Sequence, residues 1–452
     1  MLRSLPEAEA PPSTVAEVGE ARRTAVVRAD KAHVWHPYTA MKRYVESADP
    51  LVLERASGPY VYDLDGRRFL DANASWWVAV LGHAHPRLVE ALRRQSEMMP
   101  HVALAGVTHE PVARLAEELV AVAPPGLTRV FFSDDGSTAV EAAMKMALHR
   151  CHLRGERRTR FVALEGAFHG ETLGCASVGG VELFRRPFAG VVIDCLFAPS
   201  PASGEDDGAA RAIEAMIELV RREAETIAAV VVEPLVQGAS GMRMYPASYL
   251  RELDRVCRAH DVLWIADEVF TGYGRTGRMW ACDHAAVTPD ILCTAKGFSG
   301  GMLPMGATLV SERVFAPFAE ADATFHYGHS FCGNPLGAAV AREVLAVFRD
   351  ERILERTQAK AQRIAAAFES FRSLPGVVRA RSLGMIGALD LSESSSYLGT
   401  IGWRVYEEAL RRGAWLRPLG DTVYVTPPLT IGDDELERLL SIVEDSVRAA
   451  GR

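Results

Sequence analysis

The sequence predicts an α/β fold, a class that follows from three simple observations. Between Arg129 and Pro304, short β-rich runs alternate with helical stretches. That alternation requires right-handed crossovers, which cover both faces of a mainly parallel sheet. Tyr60 to Asp71 reads as two alternating runs around Asp65-Gly66, a hairpin signal. The last hundred or so residues change character to long helices and short strands. At 452 residues the chain also exceeds the ~250–300 at which one core stops growing. A large α/β domain is therefore expected over 86–345, with a smaller α+β domain built from 31–85 and 346–452.

Taken in order, residues 1–30 are rich in Ala, Glu and Pro and lack an apolar core flanked by basic residues, so they predict a frayed tail rather than a signal peptide. The hairpin follows, then a helix over 86–98 with apolar residues at helical spacing. His83-Ala84-His85 is expected to be a turn, because no carboxylate or thiol lies at metal-ligand spacing. Strands are predicted at 130–132, 160–163, 230–232, 263–265 and 290–292, and helices at 209–225 and 249–259. Further helices span 334–349 and 353–371. A closing helix places Leu436, Leu439, Leu440, Val443 and Val447 on one face.

Composition removes several function classes. A net charge of −8, with no long basic run, argues against nucleic acid as a partner. No stretch approaches the ~20 apolar residues of a membrane span. The 7 cysteines are odd in number and include no CxxC pair, so neither a disulfide framework nor a zinc site is written here. A reducing, cytoplasmic setting fits best.

Chemistry enters with two strand ends. Lys296 closes the apolar run 291–295 and precedes Gly297, while Asp267 closes the run 263–266. An amine that condenses with an aldehyde, and a buried carboxylate that keeps a pyridinium nitrogen protonated, are what pyridoxal phosphate needs. Alone, such a pair also arises by accident in α/β proteins. Gly136-Ser137-Thr138 follows a strand and opens a strong helix, which gathers free N–H groups, a hydroxyl and the positive helix end at one point. The same residues also read as a plain N-cap. Phe168, between Gly166 and Gly170, offers a ring to stack on a flat ligand, or a core side chain. Glu233-Pro234 and Gln237-Gly238 place a carboxylate and an amide near a polar ligand.

These motifs occur in a familiar order, and from 34 to 428 the chain resembles a class III aminotransferase of fold type I. Asp267-Glu268-Val269, Thr271-Gly272-Tyr273-Gly274-Arg275-Thr276-Gly277, Lys296-Gly297 and Gly333-Asn334-Pro335-Leu336 carry the resemblance. It implies pyridoxal 5'-phosphate as cofactor, Lys296 and Asp267 as catalytic residues, and Gly136, Ser137, Phe168, His329 and Ser330 as further cofactor contacts. Within the class, Val34-Trp35-His36-Pro37-Tyr38-Thr39, Ser75-Trp76-Trp77 and Leu416-Arg417-Pro418-Leu419-Gly420 resemble a branch of biotin biosynthesis. That branch moves the amino group of S-adenosylmethionine to 8-amino-7-oxononanoate through pyridoxamine phosphate, giving 7,8-diaminononanoate.

For that branch the resemblance implies substrate contacts at Tyr38, Trp76, Trp77, Phe168, Lys296, Gly328 and Arg417. The Trp pair walls the channel, Tyr38 lies against the donor's adenine, and Arg417 takes the acceptor's carboxylate. Read without the resemblance, the Trp pair could be core and Arg417 could pair with a surface carboxylate. A homodimer is also implied, with His329 and Ser330 of one subunit completing the phosphate cup of the other. Three departures stand out. Asp135 replaces a serine of the cup, tolerable if its side chain turns away to cap the helix. Phe168 stands where a tyrosine is common, and Ser330 where a threonine is. Neighbouring readings are the same reaction with lysine as donor, an ω-amino acid:pyruvate transaminase or semialdehyde aminomutase, and a silent cofactor-binding protein. The first tends to carry Phe at Tyr38 and a single Trp; the last would lack Lys296 or Asp267.

Overall fold

The computed structural model describes residues 15–202, 208–393 and 397–451. Its central sheet has seven strands in the spatial order Leu127–Ser133, Gly306–Ser311, Ile291–Thr294, Leu263–Asp267, Ile227–Val232, Arg160–Leu164 and Cys195–Ala198. The strands from Ile291–Thr294 to Cys195–Ala198 are parallel to one another. Gly306–Ser311 is antiparallel to both of its neighbours. The five predicted strands all occur. Gly306–Ser311 and Cys195–Ala198 were not predicted, the first because it opens on glycine, the second because only four residues separate Asp194 from Pro199.

Burial on both faces explains why the central strands are continuous apolar runs rather than alternating ones. Ala229, Val231, Leu263 and Ile265 pack with the Gly136–Leu153 helix in one core layer. Val230, Val232, Trp264 and Ala266 face the other way, onto the Gly208–Glu223 and Ala247–Ala259 helices. Asp267 and Lys296 thus emerge at the carboxyl edge of a fully packed sheet, where open α/β sheets bind ligands.

The hairpin is present as Tyr60–Asp63 paired antiparallel with Arg68–Asp71, and Leu53–Ser57 extends it. Ala414–Trp415 joins this sheet parallel to Arg68–Asp71, so the two ends of the chain share one sheet. A third sheet contains Arg379–Leu383, Ile386–Asp390 and Thr422–Val425. The helices Pro86–Met98, Pro335–Asp350, Ile353–Phe371 and Asp433–Ala450 lie where the sequence places them.

The tail expected over 1–30 needs correction. Residues 1–14 lie outside the described part, but Val15–His33 is an α-helix. Its Ala, Glu and Arg are strong helix formers. Arg22 reaches Glu54 at 2.6 Å and Arg23 pairs with Asp65, which ties the helix to the hairpin. His83-Ala84-His85 is a turn with Ala84 at φ 49°, and His83 Nε2 lies 2.8 Å from Asp71 Oδ2. All seven cysteines are free, and no described helix is long and apolar enough to cross a membrane.

Candidate active site

A cavity of about 530 Å³ opens at the carboxyl edge of the sheet. Lys296, Asp267, Glu233, Gly136, Ser137, Phe168 and Trp77 all line it. Lys296 begins a short 3₁₀ turn and holds a left-handed φ of 48°, which a non-glycine residue adopts only when its surroundings fix it. Its Nζ sits 4.7 Å from the Trp77 ring centroid. Burial lowers the Lys296 pKa from the ordinary lysine value, against the opposing pull of Asp267 and Glu233. The amine is thereby biased toward its neutral, nucleophilic form.

Asp267 is 5% exposed and firmly oriented. The Val269 N–H donates to its Oδ1 at 3.1 Å, and His169 Nδ1 donates to Oδ2 at 2.8 Å. His169 is buried in turn, with Nε2 unpartnered. Glu233 accepts the N–H of Phe168 and that of Gly238, each at 2.9 Å, and burial raises its pKa to about 7. Gln237 does not join the site, contrary to expectation: its amide is consumed by Ser200 and by the Glu165 carbonyl.

The helix expected after the first strand starts at Gly136. Asp135 is the N-cap of Gly136–Leu153, accepting the Thr138 N–H at 2.8 Å, while its own N–H donates to Thr138 Oγ1 at 2.9 Å. Its carboxylate is thereby turned into the helix end, as the departure at this position requires. The cap takes up Thr138 and leaves the first-turn N–H groups of Gly136 and Ser137 at the cavity wall. A Cβ on Gly136 would meet Val269 Cγ1 at 2.6 Å, so the cup needs glycine there. Together, a paired amine and acid, an aromatic wall at Phe168 and unclaimed N–H groups at a long helix's start fit a flat phosphorylated pyridine.

Other expected residues lie outside this cavity and divide into two groups. Tyr38, Trp76 and Arg417 gather beyond it: the Tyr38 and Trp76 rings are 5.5 Å apart, and the Arg417 guanidinium lies 4.5 Å over Trp76. The Tyr38 hydroxyl donates to Glu171, which lines the cavity and so links the two. Arg417 Nη1 is buried without a partner, and among the described residues Arg417 enters no ion pair, against the surface-pair alternative. Gly328 and Ser330 are exposed and do not reach the cavity of their own chain. His329 Nδ1 lies 2.9 Å from Asp134 Oδ2.

Sequence reasoning missed His169, which follows Phe168 directly, and Glu268. Glu268 is fully buried and accepts from Thr271 Oγ1 at 2.6 Å, Ala281 N at 3.0 Å and Cys282 N at 2.8 Å. It braces the Asp267 loop rather than facing ligand. Phe184 and Tyr397, which sit beside Tyr38 and Arg417, carried no signal at all.

The chain matches the family Aminotransferase class-III over residues 42–447. It is 42% identical, over 95% of its length and 83% of the relative's, to the adenosylmethionine-8-amino-7-oxononanoate aminotransferase of Nitratidesulfovibrio vulgaris. The crystal structure of the Methanocaldococcus jannaschii enzyme of that name superposes with a TM-score of 0.89 at 34% identity, covering 94% of this chain and 99% of that one. The omega transaminase from Pseudomonas jessenii in complex with PMP gives 0.89 at 30% identity, covering 94% and 98%. The protein therefore belongs to the class III aminotransferases, within the adenosylmethionine-8-amino-7-oxononanoate aminotransferase group, and is a pyridoxal-phosphate-dependent transaminase of fold type I.

Proposed function

We propose that this protein moves the amino group of S-adenosylmethionine to 8-amino-7-oxononanoate, giving 7,8-diaminononanoate for biotin. The observation that carries this reading is Arg417: a guanidinium laid on Trp76, with a buried and unpaired Nη1, just beyond an aromatic channel. A nine-carbon keto acid needs that combination of apolar walls and a terminal cation. Tyr38, against Trp76 at the outer end, is assigned to the donor's adenine.

When bound, pyridoxal phosphate supplies an aldehyde for the exchanging amines and a ring that accepts the electron pair of a broken Cα–H bond. The chain's residues do the rest. Lys296 Nζ, shifted toward its neutral form by burial, is assigned to take the α-proton of the donor and return one in the reverse half with the acceptor. Asp267, held by His169 and Val269, is assigned to keep the ring nitrogen protonated. Gly136 and Ser137 would hold the phosphate, and Phe168 would supply an aromatic wall for the ring. Trp77 and Met302, Leu303 and Pro304 wall the cavity against water. Gly328, His329 and Ser330 are read as acting in the cavity of a second copy, which makes the enzyme a homodimer with shared sites. A cytoplasmic enzyme is the matching setting.

An amino-donor panel on the purified holoenzyme, read from cofactor absorbance, tests the donor. S-adenosylmethionine should convert the cofactor and lysine should not. Conversion by lysine alone would overturn the donor, and failure of the converted enzyme to aminate the oxononanoate would overturn the acceptor.

A further inference from the structure

Ser137 and Glu141 stand four residues apart on the Gly136–Leu153 helix, so both meet the segment that follows Phe168. That segment is wrapped onto them. Ser137 Oγ accepts the N–H of Glu171 and that of Thr172, each at 3.1 Å, and lies 2.9 Å from Thr172 Oγ1. Thr172 Oγ1 in turn donates to Glu141 Oε2 at 2.6 Å, and the same carboxylate oxygen accepts the Cys175 N–H at 3.2 Å. Glycine is required at both close approaches. A Cβ on Gly170, whose φ is 121°, would overlap Ser137 Oγ, and one on Gly174 would overlap the Glu141 carboxylate.

A hydroxyl has one hydrogen and two lone pairs. Because a carboxylate only accepts, the Thr172 hydrogen goes to Glu141, and the hydrogen between the two hydroxyls belongs to Ser137. The two lone pairs of Ser137 Oγ take the two N–H groups, so its hydroxyl has no donor left for a phosphate. The phosphate then rests on the backbone N–H groups of the helix start. We infer that the Ser137 hydroxyl is a positioning group for the donor side of the channel. It fixes the 170–172 loop, and through that loop the Glu171 carboxylate that accepts the Tyr38 hydroxyl. One residue thus serves the cofactor with its backbone and sets the outer wall with its side chain. The inference deepens the proposed function and rests on its assignments of the helix start to phosphate and of Tyr38 to the donor.

Two measurements on the holoenzyme test this. Equilibrium dialysis gives the dissociation constant of pyridoxal phosphate, and single-turnover absorbance against S-adenosylmethionine concentration gives the donor's apparent dissociation constant and the limiting rate. Ser137→Ala removes the hub, and Thr172→Val removes its relay at a residue that does not line the cavity. Each should hold the cofactor constant and the limiting rate within about threefold and raise the donor constant about tenfold, the size of one or two hydrogen bonds. Thr172→Ser returns the hydroxyl and should return the donor constant to that of the wild type. A cofactor constant raised about tenfold by Ser137→Ala and untouched by Thr172→Val overturns the inference, because the hydroxyl then holds phosphate. Donor constants equal to the wild type in both variants overturn it as well. So does a donor loss that Thr172→Ser fails to restore, or a limiting rate that falls as far as the donor constant rises, either of which marks a merely structural role. The cofactor measurement needs no donor. If S-adenosylmethionine fails to convert the wild type, the proposed donor falls, and the kinetic measurement is decided with the amine that does convert it.

Discussion

The two ends of the ligand channel are built differently. At the inner end, Lys296 and Asp267 sit at the edges of strands buried on both faces; the Asp267 carboxylate is held by the Val269 N–H and by His169, and the Lys296 amine lies over the Trp77 ring. At the outer end, Tyr38, Trp76, Phe184, Tyr397 and Arg417 come from loops and short turns scattered from residue 38 to residue 417, and they are held by ring contacts with one another. Strand ends cannot move without unpacking the sheet, whereas a loop-borne aromatic can be exchanged at small cost to the fold. On the proposed reading, the reaction type is fixed where the scaffold is stiff, and substrate choice is left where it is soft.

The largest effect should fall at the stiff end. Lys296→Ala is expected to abolish both half-reactions, since no other amine is placed to replace the nucleophile. The purified variant should keep its circular-dichroism spectrum and should give no borohydride-trappable link to the cofactor. A surviving link at this site would contradict the assignment of Lys296.

Arg417→Ala should instead separate the half-reactions. Losing a charged hydrogen bond worth ~1.5–3 kcal/mol lowers the acceptor half-reaction by roughly 10- to 100-fold, while donor-driven conversion changes little. Stopped-flow absorbance measures both. Equal losses in the two would mean that Arg417 supports the fold of the mouth rather than the acceptor, and the contrast between the two ends would weaken with it.

How far the sequence could be read follows the same division. Lys296, Asp267, Gly136 and Ser137 were legible because a strand end, an apolar run and a helix start each leave a local pattern. The left-out strand Gly306–Ser311 shows the limit even there, since nothing local marks a strand that is stabilised only by its antiparallel neighbours. At the outer end, Tyr38, Trp76 and Arg417 were found only through resemblance, and Phe184 and Tyr397 not at all. Most of their partners lie more than a hundred residues away, as for Phe184 with Tyr38 and Tyr397 and for Arg417 with Trp76, and periodicity carries no information about such contacts. Asp135 is the instructive intermediate: its acid looked misplaced beside a phosphate until the cap was considered, and the cap is a four-residue pattern, Asp135 to Thr138.

A titration sharpens the contrast from the stability side. Burial lowers the Lys296 pKa, so between that lowered value and the ordinary ~10.4 the unfolded chain binds a proton that the folded chain does not. Stability of the cofactor-free protein should rise with pH across that window, and below it the lysine imposes a constant penalty. Lys296→Met removes the charge and keeps the volume. The variant should be the more stable protein at neutral pH by urea denaturation, with its advantage fading as pH approaches the ordinary lysine value. An advantage independent of pH would show that packing, not charge, sets the difference.

The smallest effect concerns the turn that joins the two ends. Ala74, Ser75, Trp76 and Trp77 all have positive φ, at 46°, 45°, 62° and 77°, so the Trp pair rides on one turn of left-handed helix. Each non-glycine residue in that conformation costs roughly 1–2 kcal/mol, and the turn persists because Trp77 N donates to Asn73 O at 2.8 Å and Trp77 Nε1 to the Tyr424 hydroxyl at 3.2 Å. The strain aims Trp77 inward beneath Lys296 and Trp76 outward beneath Arg417, two directions that a right-handed turn would not give to adjacent side chains in this place. Ser75→Gly relieves the strain at one position, offset in part by the greater freedom of glycine in the unfolded chain, so a net gain of about 0.5–1 kcal/mol is expected in thermal unfolding. The same change loosens Trp76, and the acceptor's KM should rise a few-fold while donor conversion stays constant. Should Ser75→Gly destabilise the protein, the turn holds no strain at that residue. Should it stabilise without touching the acceptor's KM, the strain serves the fold alone, and the soft end of the channel owes its geometry to the ring contacts rather than to the backbone beneath them.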